Sequence, residues 1–227
     1  MSAAGCSKGH VQAVLFDLDG TLIDSAPDLA GAANELRIAH GLPLLPYASF
    51  RPMVGSGARG MIAVAFDIGP QHERFAELRD DFLRRYEMRM TRETCVFDAM
   101  RPVLDSLDRR RLRWGIVTNK AERFTLPLVH ALGLQTRAAA VVAGDTTPHA
   151  KPHPAPLFEA ARRMGLEPGQ CMYVGDDVRD VQAGHAAGMT TAVAGWGYLG
   201  AGEPVAAWGA QYVLREPADL LNLPGLT

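Results

Sequence analysis

Three cysteines, Cys6, Cys95 and Cys171, are scattered over 227 residues, and no two of them form a C-x-x-C pair. An odd, widely spaced set argues against a disulfide framework and a structural zinc site, and fits reduced thiols in a cytoplasmic protein. An excess of one charge is also missing. With 23 basic and 25 acidic residues the formal charge is -2, so the basic surplus of a dedicated nucleic-acid binder is absent. No run of about 18 apolar residues occurs, and no membrane span is expected. Met1 to Gln12 lacks the apolar segment of a secretory signal, and residues 1–10 read as a loose tail. There is no internal repeat and no low-complexity tract.

What remains is an ordinary globular composition, 48% hydrophobic and 21% charged. A chain of this size buries roughly 70% of its unfolded surface and needs no staples. Val11 to Asp17 is a short apolar run that reads as a buried strand. Ala26 to His40 carries helical spacing and stops at Gly41 and Pro43. Gly55, Gly57 and Gly60 mark a loop that runs into a helical stretch from Met61 to Phe66. Glu73 to Met90 is an amphipathic helix. Beyond it strands and helices alternate. Strands are expected at Trp114–Thr118, Ala138–Ala143, Cys171–Val174, Thr190–Ala194 and Tyr212–Leu214. Helices are expected at Pro102–Arg110, Phe124–Leu132, Pro156–Met164, Val178–Ala187 and near Ala218–Leu221. Alternation implies a Rossmann-like α/β core, a parallel sheet with helices on both faces. That core is expected over residues 11–24 and 95–227, interrupted by an all-helical insertion over residues 25–94.

Four polar stretches follow predicted strands: Asp17-Leu18-Asp19-Gly20-Thr21, Thr118-Asn119-Lys120, Lys151-Pro152, and Gly175-Asp176-Asp177 with Asp180. In a parallel sheet such stretches meet in one crevice beyond the carboxyl ends of the strands. Carboxylates crowded there repel one another, and a hard divalent cation such as magnesium would neutralise them. A carboxylate can also act as a nucleophile and become an aspartyl-phosphate. Phosphoryl transfer then needs cations and hydrogen-bond donors around the moving group. Lys151, the Thr118 hydroxyl and the backbone amides of Asp19 to Thr21 can supply them, and Gly20 lets the backbone approach an anion closely.

In this order and context the four stretches resemble the haloacid dehalogenase superfamily of phosphohydrolases, from about Val11 to Leu220. The resemblance implies that Asp17 is the nucleophile and Asp19 the general acid and base. It implies that Thr118 and Lys151 bind the transferring group, and that Mg2+ is held by Asp17, Asp176 and the backbone carbonyl of Asp19. Asp177 and Asp180 either reach the metal through water or orient Lys151. An acid at position 19 favours a phosphatase over a dehalogenase, because an alkoxide leaving group needs a proton and a halide does not. A sugar phosphomutase keeps both aspartates and stands as the alternative. A non-catalytic relative is disfavoured, since Asp17 and Asp19 are both present.

Within the superfamily the chain looks most like the phosphoglycolate phosphatases and a close relative, the N-acetylmuramic acid 6-phosphate phosphatases. The substrate is thus expected to be a small phosphorylated metabolite, 2-phosphoglycolate or N-acetylmuramate 6-phosphate; monomer and homodimer are both open. The insertion resembles the mobile cap of the family. Its Gly55-Ser56-Gly57-Ala58-Arg59 loop supplies candidate specificity residues, Ser56, Gly57 and Arg59, beside Gly20, Thr21 and Asn119 in the core. Arg84, Arg85 and Arg89 read as a solvated helix face, Lys120 as a surface lysine, His149 and His153 as loop residues, and Cys95 and Cys171 as small core residues. Trp196 and Tyr198 are expected at the rim of the crevice.

Overall fold

The computed structural model of the chain describes residues 10–200 and 202–226. Cys6 and nearly all of the expected tail lie outside the described residues. The first strand, β1 (Ala13–Phe16), is buried along its whole length. Its side chains alternate between two apolar clusters: Val14 and Phe16 enter one, Ala13 and Leu15 the other. A strand buried on both faces belongs inside a sheet covered by helices on both sides.

A short strand β2 (Ile23–Asp24) leads into four helices, α1 (Ala26–Ala39), α2 (Tyr47–Phe50), α3 (Gly57–Phe66) and α4 (Phe75–Arg89). The chain then returns through β3 (Cys95–Val96), which pairs antiparallel with β2, Ile23 facing Val96. The helical insertion therefore leaves and rejoins the rest of the chain at one place. The remaining elements alternate: α5 (Met100–Arg109), β4 (Arg113–Val117), α6 (Glu122–Ala131), β5 (Val141–Val142), α7 (Ala155–Met164), β6 (Cys171–Gly175), α8 (Val178–Ala186), β7 (Thr190–Ala194) and β8 (Tyr212–Leu214). Six strands form one sheet in the order β5-β4-β1-β6-β7-β8, and every neighbouring pair is parallel. The chain winds outward from β1 in one direction and then, from β6, in the other. Such a reversal opens a crevice at the carboxyl ends of the central strands. Register sets its floor: Phe16 lies level with Ile116 on one side and Val174 on the other.

The apolar core does not stop at the sheet. The cluster that holds Phe16, Trp114 and Val174 continues through Leu22 and Val96 to Leu29, Phe50, Met61 and Phe82 of the insertion. Removing a large side chain such as Phe82 from this core would cost about 3–5 kcal/mol.

Four sequence expectations need correction. The segment expected as a strand over Ala138–Ala143 is regular only at Val141–Val142. Ala139 already donates to the Trp114 carbonyl, but Ala138 is still tied back to Leu134 in a turn. Gly55 to Gly60 is not a simple loop. A 3-10 turn over Arg51–Ser56 passes directly into α3, and Gly57, at φ 58, makes the break between the two. Cys95 is exposed, because it lies on a two-residue edge strand. Arg89 is buried rather than solvated: it donates to Asp28 (3.3 Å), Glu35 (2.8 Å) and Glu93 (2.8 Å). Asp28 in turn accepts from the backbone of Glu93 and Thr94 and from the Thr94 hydroxyl, at 2.8–3.0 Å. This network ties the start of the insertion to its end.

Candidate active site

The crevice is built on residues that follow β1, β4 and β6 directly. Asp17 comes one residue after β1, and its backbone N–H donates to the Val174 carbonyl, which extends the ladder and fixes the side chain at the strand end. Lys151, in the segment between β5 and α7, reaches into the same place and is 5% exposed. Its Nζ has four oxygens within 3.1 Å: Asp17 Oδ1 (2.8 Å), Asp180 Oδ1 (2.7 Å), Tyr173 Oη (2.7 Å) and the Val117 carbonyl. Burial alone disfavours an ammonium, but Asp17 and Asp180 outweigh it, and Lys151 is pushed up to about 12. Asp180 thus accepts from Lys151 beside Asp17, while Asp177 does not contact the lysine.

Asp176 caps the far side, one residue beyond β6. It accepts from the Thr21 hydroxyl (3.2 Å) and from the backbone N–H of Tyr198 (2.7 Å). Gly20 sits against it at φ 83. A Cβ there would come within 2.8 Å of the Asp176 carboxyl carbon and 2.7 Å of the Tyr198 ring. Only glycine fits both the backbone conformation and the space.

Carboxylate oxygens of Asp17, Asp176 and Asp180 lie within 4.8 Å of one another. Burial pushes Asp17 up to about 6, with Lys151 opposing and Asp180 and Asp19 reinforcing the rise. Burial and the neighbouring carboxylates push Asp176 up as well, against the donors that face it. Asp17 and Asp180 thus share one ammonium, while Asp176 accepts from neutral donors alone. An oxygen-only set with surplus negative charge fits a hard divalent cation.

Asp19 points elsewhere. Its Oδ1 accepts from Lys120 Nζ (2.8 Å) and from the Ser25 hydroxyl. The side chain of Asp19 is therefore outside the carboxylate cluster. Lys120, read from the sequence as a surface lysine, has a side chain only 9% exposed and belongs to the site. Burial opposes its charge, yet Asp19 keeps its pKa above the ordinary lysine value.

Thr118 is buried, lines the cavity and accepts from the Lys120 backbone N–H at 3.1 Å. Asn119 uses both ends of its amide on the Lys151 backbone, at 2.9 Å each, and so fixes the loop that delivers Lys151. Asp177 caps α8 and pairs with Arg179 at 2.7 Å. Arg179 also donates to the Gly55 carbonyl of the insertion at 2.5 Å. The crevice and the insertion together enclose a cavity of about 380 Å³. Ser56 and Gly57 line it; Arg59 is exposed and is not among its lining residues.

Tyr198 and Trp196 brace the loop after β1 from outside. The Tyr198 hydroxyl accepts from the backbone N–H of Ser25 and Ala26 and donates to Asp24 (2.9 Å), while the Trp196 indole donates to the Thr21 carbonyl (3.1 Å). His149 and His153 lie exposed with rings 4.4 Å apart, away from the cavity lining. The residues that sequence reasoning missed are Lys120, Tyr173 and Ser25. Lys120 carried a signal, its place two residues after Thr118 at a strand end. Tyr173 and Ser25 carried none.

With this geometry in view, comparison with known proteins is direct. The haloacid dehalogenase-like hydrolase profile matches residues 14–194. The chain is 44% identical over 210 residues to a phosphoglycolate phosphatase of Xanthomonas campestris pv. campestris (strain 8004), covering 92% of this chain and 94% of that one. It is 36% identical over 214 residues to an N-acetylmuramic acid 6-phosphate phosphatase of Pseudomonas aeruginosa, covering 94% and 95%. A crystal structure described as a predicted phosphoglycolate phosphatase from Haemophilus somnus 129PT superimposes with a TM-score of 0.82 at 27% identity, covering 96% of this chain and 99% of that one. The sheet order, the strand-end carboxylates and these matches agree that the chain belongs to the haloacid dehalogenase-like hydrolase family.

Proposed function

We propose that the protein is a magnesium-dependent phosphatase that hydrolyses a small phosphate monoester through an aspartyl-phosphate on Asp17. The observation that carries this reading is the position of Asp17, a strand-end carboxylate gripped by a buried lysine inside a cluster with too few cations. The relatives named above extend it to 2-phosphoglycolate or N-acetylmuramate 6-phosphate as the substrate.

Asp17 attacks phosphorus, forming an acyl-phosphate bond while the ester P–O bond breaks. Asp19 gives its proton to the departing alkoxide oxygen. It then takes a proton from water, whose oxygen attacks the same phosphorus and releases Asp17 and inorganic phosphate. Lys151 holds Asp17 in line and offsets charge on the transferring group, with Thr118 as a further donor; the amides of Gly20 and Thr21, candidates from the sequence, are already given to the Ile23 and Leu18 carbonyls. Asn119 acts by holding the Lys151 loop. Mg2+ would be held by Asp17, Asp176 and the Asp19 carbonyl, and would supply neutralisation of phosphate and carboxylate charge. Asp180 orients Lys151. Residues 25–94 form the cap over a core of residues 11–24 and 95–227, with Ser56 and Gly57, which line the cavity, as its candidate substrate contacts; Arg59 does not line it. A cytoplasmic setting completes the reading.

The test is phosphate release from a panel of 2-phosphoglycolate, N-acetylmuramate 6-phosphate and hexose phosphates, with magnesium and with chelator. Magnesium-dependent release is expected. Activity indifferent to chelator would defeat the metal assignment, and isomerisation of a hexose phosphate without release would replace the phosphatase by a phosphomutase. A hundredfold preference among substrates corresponds to about 2.7 kcal/mol of differential transition-state binding.

A further inference from the structure

Helix α4 carries a side chain that the chemistry above does not use. Tyr86 is 1% exposed. Its ring stacks on Phe82 at 6.4 Å and leans on Phe124 at 5.5 Å, so the direction of the hydroxyl is fixed. Tyr86 lines the cavity, yet its Oη has no hydrogen-bond partner among the described residues. A buried hydroxyl without a partner is costly to fold around, and native chains rarely keep one without a reason. Burial also holds the phenol above its ordinary pKa, so it remains a donor.

Lys120 lies beside the same ring, with Nζ 4.9 Å from the ring centroid. Among the described residues its ammonium donates to one side chain, Asp19, although it carries three N–H groups. Two donors therefore meet next to Asp19, one from the insertion and one from the loop after β4. One is cationic and the other neutral. Leu29, Val54, Phe82 and Leu83 add an apolar wall to the cavity. A cation and a hydroxyl donor beside an apolar wall suit an anionic oxygen group carried on a short carbon skeleton.

We propose that Tyr86 and Lys120 form a subsite for a carboxylate on the non-phosphate part of the substrate. The inference rests on the phosphatase reading and assigns the carboxylate that both candidate substrates carry to two named side chains. Lys120 sits beside Asp19, a placement that suits a carboxylate close to the ester oxygen, as in 2-phosphoglycolate, better than the distant lactyl carboxylate of N-acetylmuramate 6-phosphate.

The experiment compares acids with their uncharged counterparts. The pairs are 2-phosphoglycolate with 2-hydroxyethyl phosphate, and N-acetylmuramate 6-phosphate with N-acetylglucosamine 6-phosphate. The wild type is expected to favour the acid of at least one pair by tenfold or more in kcat/KM. Tyr86→Phe keeps the ring packing and is expected to lower that ratio roughly tenfold, chiefly through KM. Lys120→Met is expected to lower it further. Ratios within twofold of unity in the wild type, or a ratio untouched by Tyr86→Phe, would overturn the proposal. Should Tyr86→Phe fail to fold, the wild-type ratios decide. A generic aryl phosphate separates the two levels. Its magnesium-dependent hydrolysis without any acid preference defeats the subsite alone, and no hydrolysis of any of these compounds defeats the phosphatase reading with it.

Discussion

The molecule buries charge in two places, and the two are balanced differently. In the insertion, Asp28 is fully buried and its oxygens accept from Arg89, from two backbone N–H groups and from the Thr94 hydroxyl, while Arg89 spends its remaining donors on Glu35 and Glu93. Gly31 makes room for this, since a Cβ there would collide with the Arg89 guanidinium. In the crevice, Asp17 and Asp180 share a single lysine, Asp176 beside them accepts from neutral donors, and the pKa values of Asp17 and Asp176 are driven upward. The first cluster is satisfied by the protein itself and holds the fold together. The second leaves carboxylates facing one another, a set that fits a bound cation or protons. Buried charge by itself marks neither structure nor function; the ratio of donors to carboxylates separates them.

The sharpest way to test that contrast is Asp17→Asn. Turnover should fall by on the order of 10³–10⁴-fold or more, while the thermal midpoint stays close to wild type. A phosphate-release assay and a melt on the same preparation read both. Arg89→Met should do the reverse. Leaving Asp28 buried without its cation is expected to cost about 3–5 kcal/mol in urea denaturation, with turnover per folded molecule largely kept. If the two variants gave the same profile, the distinction would fail.

Gly20→Ala is the intermediate case. The added methyl meets Asp176 and Tyr198 in a backbone conformation that alanine resists. Magnesium affinity is expected to weaken by about tenfold or more and stability to drop by about 1–3 kcal/mol. Titration of magnesium-dependent activity and a melt check each part.

The smallest effect is the dependence on pH. Asp17 has a folded pKa of about 6 against an ordinary 3.8. Between those values the folded state holds more protons than the unfolded one, so the metal-free protein loses stability as pH rises from about 4 through 6. Protons and a divalent cation compete for these oxygens. The rise in thermal midpoint on adding magnesium should therefore grow over the same interval. A midpoint shift independent of pH would argue that the cation binds elsewhere.

Much of this was legible before any coordinates. The strand ahead of Asp17 announced itself as an apolar run, and each polar stretch at a strand end fell into one crevice because parallel topology puts it there. The four helices α1 to α4 lie between β2 and β3, two strands of two residues each that are too short to leave a periodic trace. Local pattern failed wherever long-range partners decide. Lys120 and Arg89 looked solvated because lysine and arginine usually are, and only Asp19 and Asp28, distant in sequence, bring them inside. Tyr198, expected near the crevice rim, braces the loop after β1 through its hydroxyl, gives its backbone N–H to Asp176 and carries Arg51 of the insertion over its ring.

The β2–β3 ribbon has a consequence for how this architecture can change. Its two strands hold the departing and returning chain side by side. Whatever is spliced between them closes its loop at a point already fixed, so length there is cheap to vary. Composition is not, because one apolar core runs from Phe16 and Val174 into Phe50 and Phe82. A foreign helical segment grafted between the two strands would have to bring a matching greasy underside before the sheet beneath accepted it as a roof.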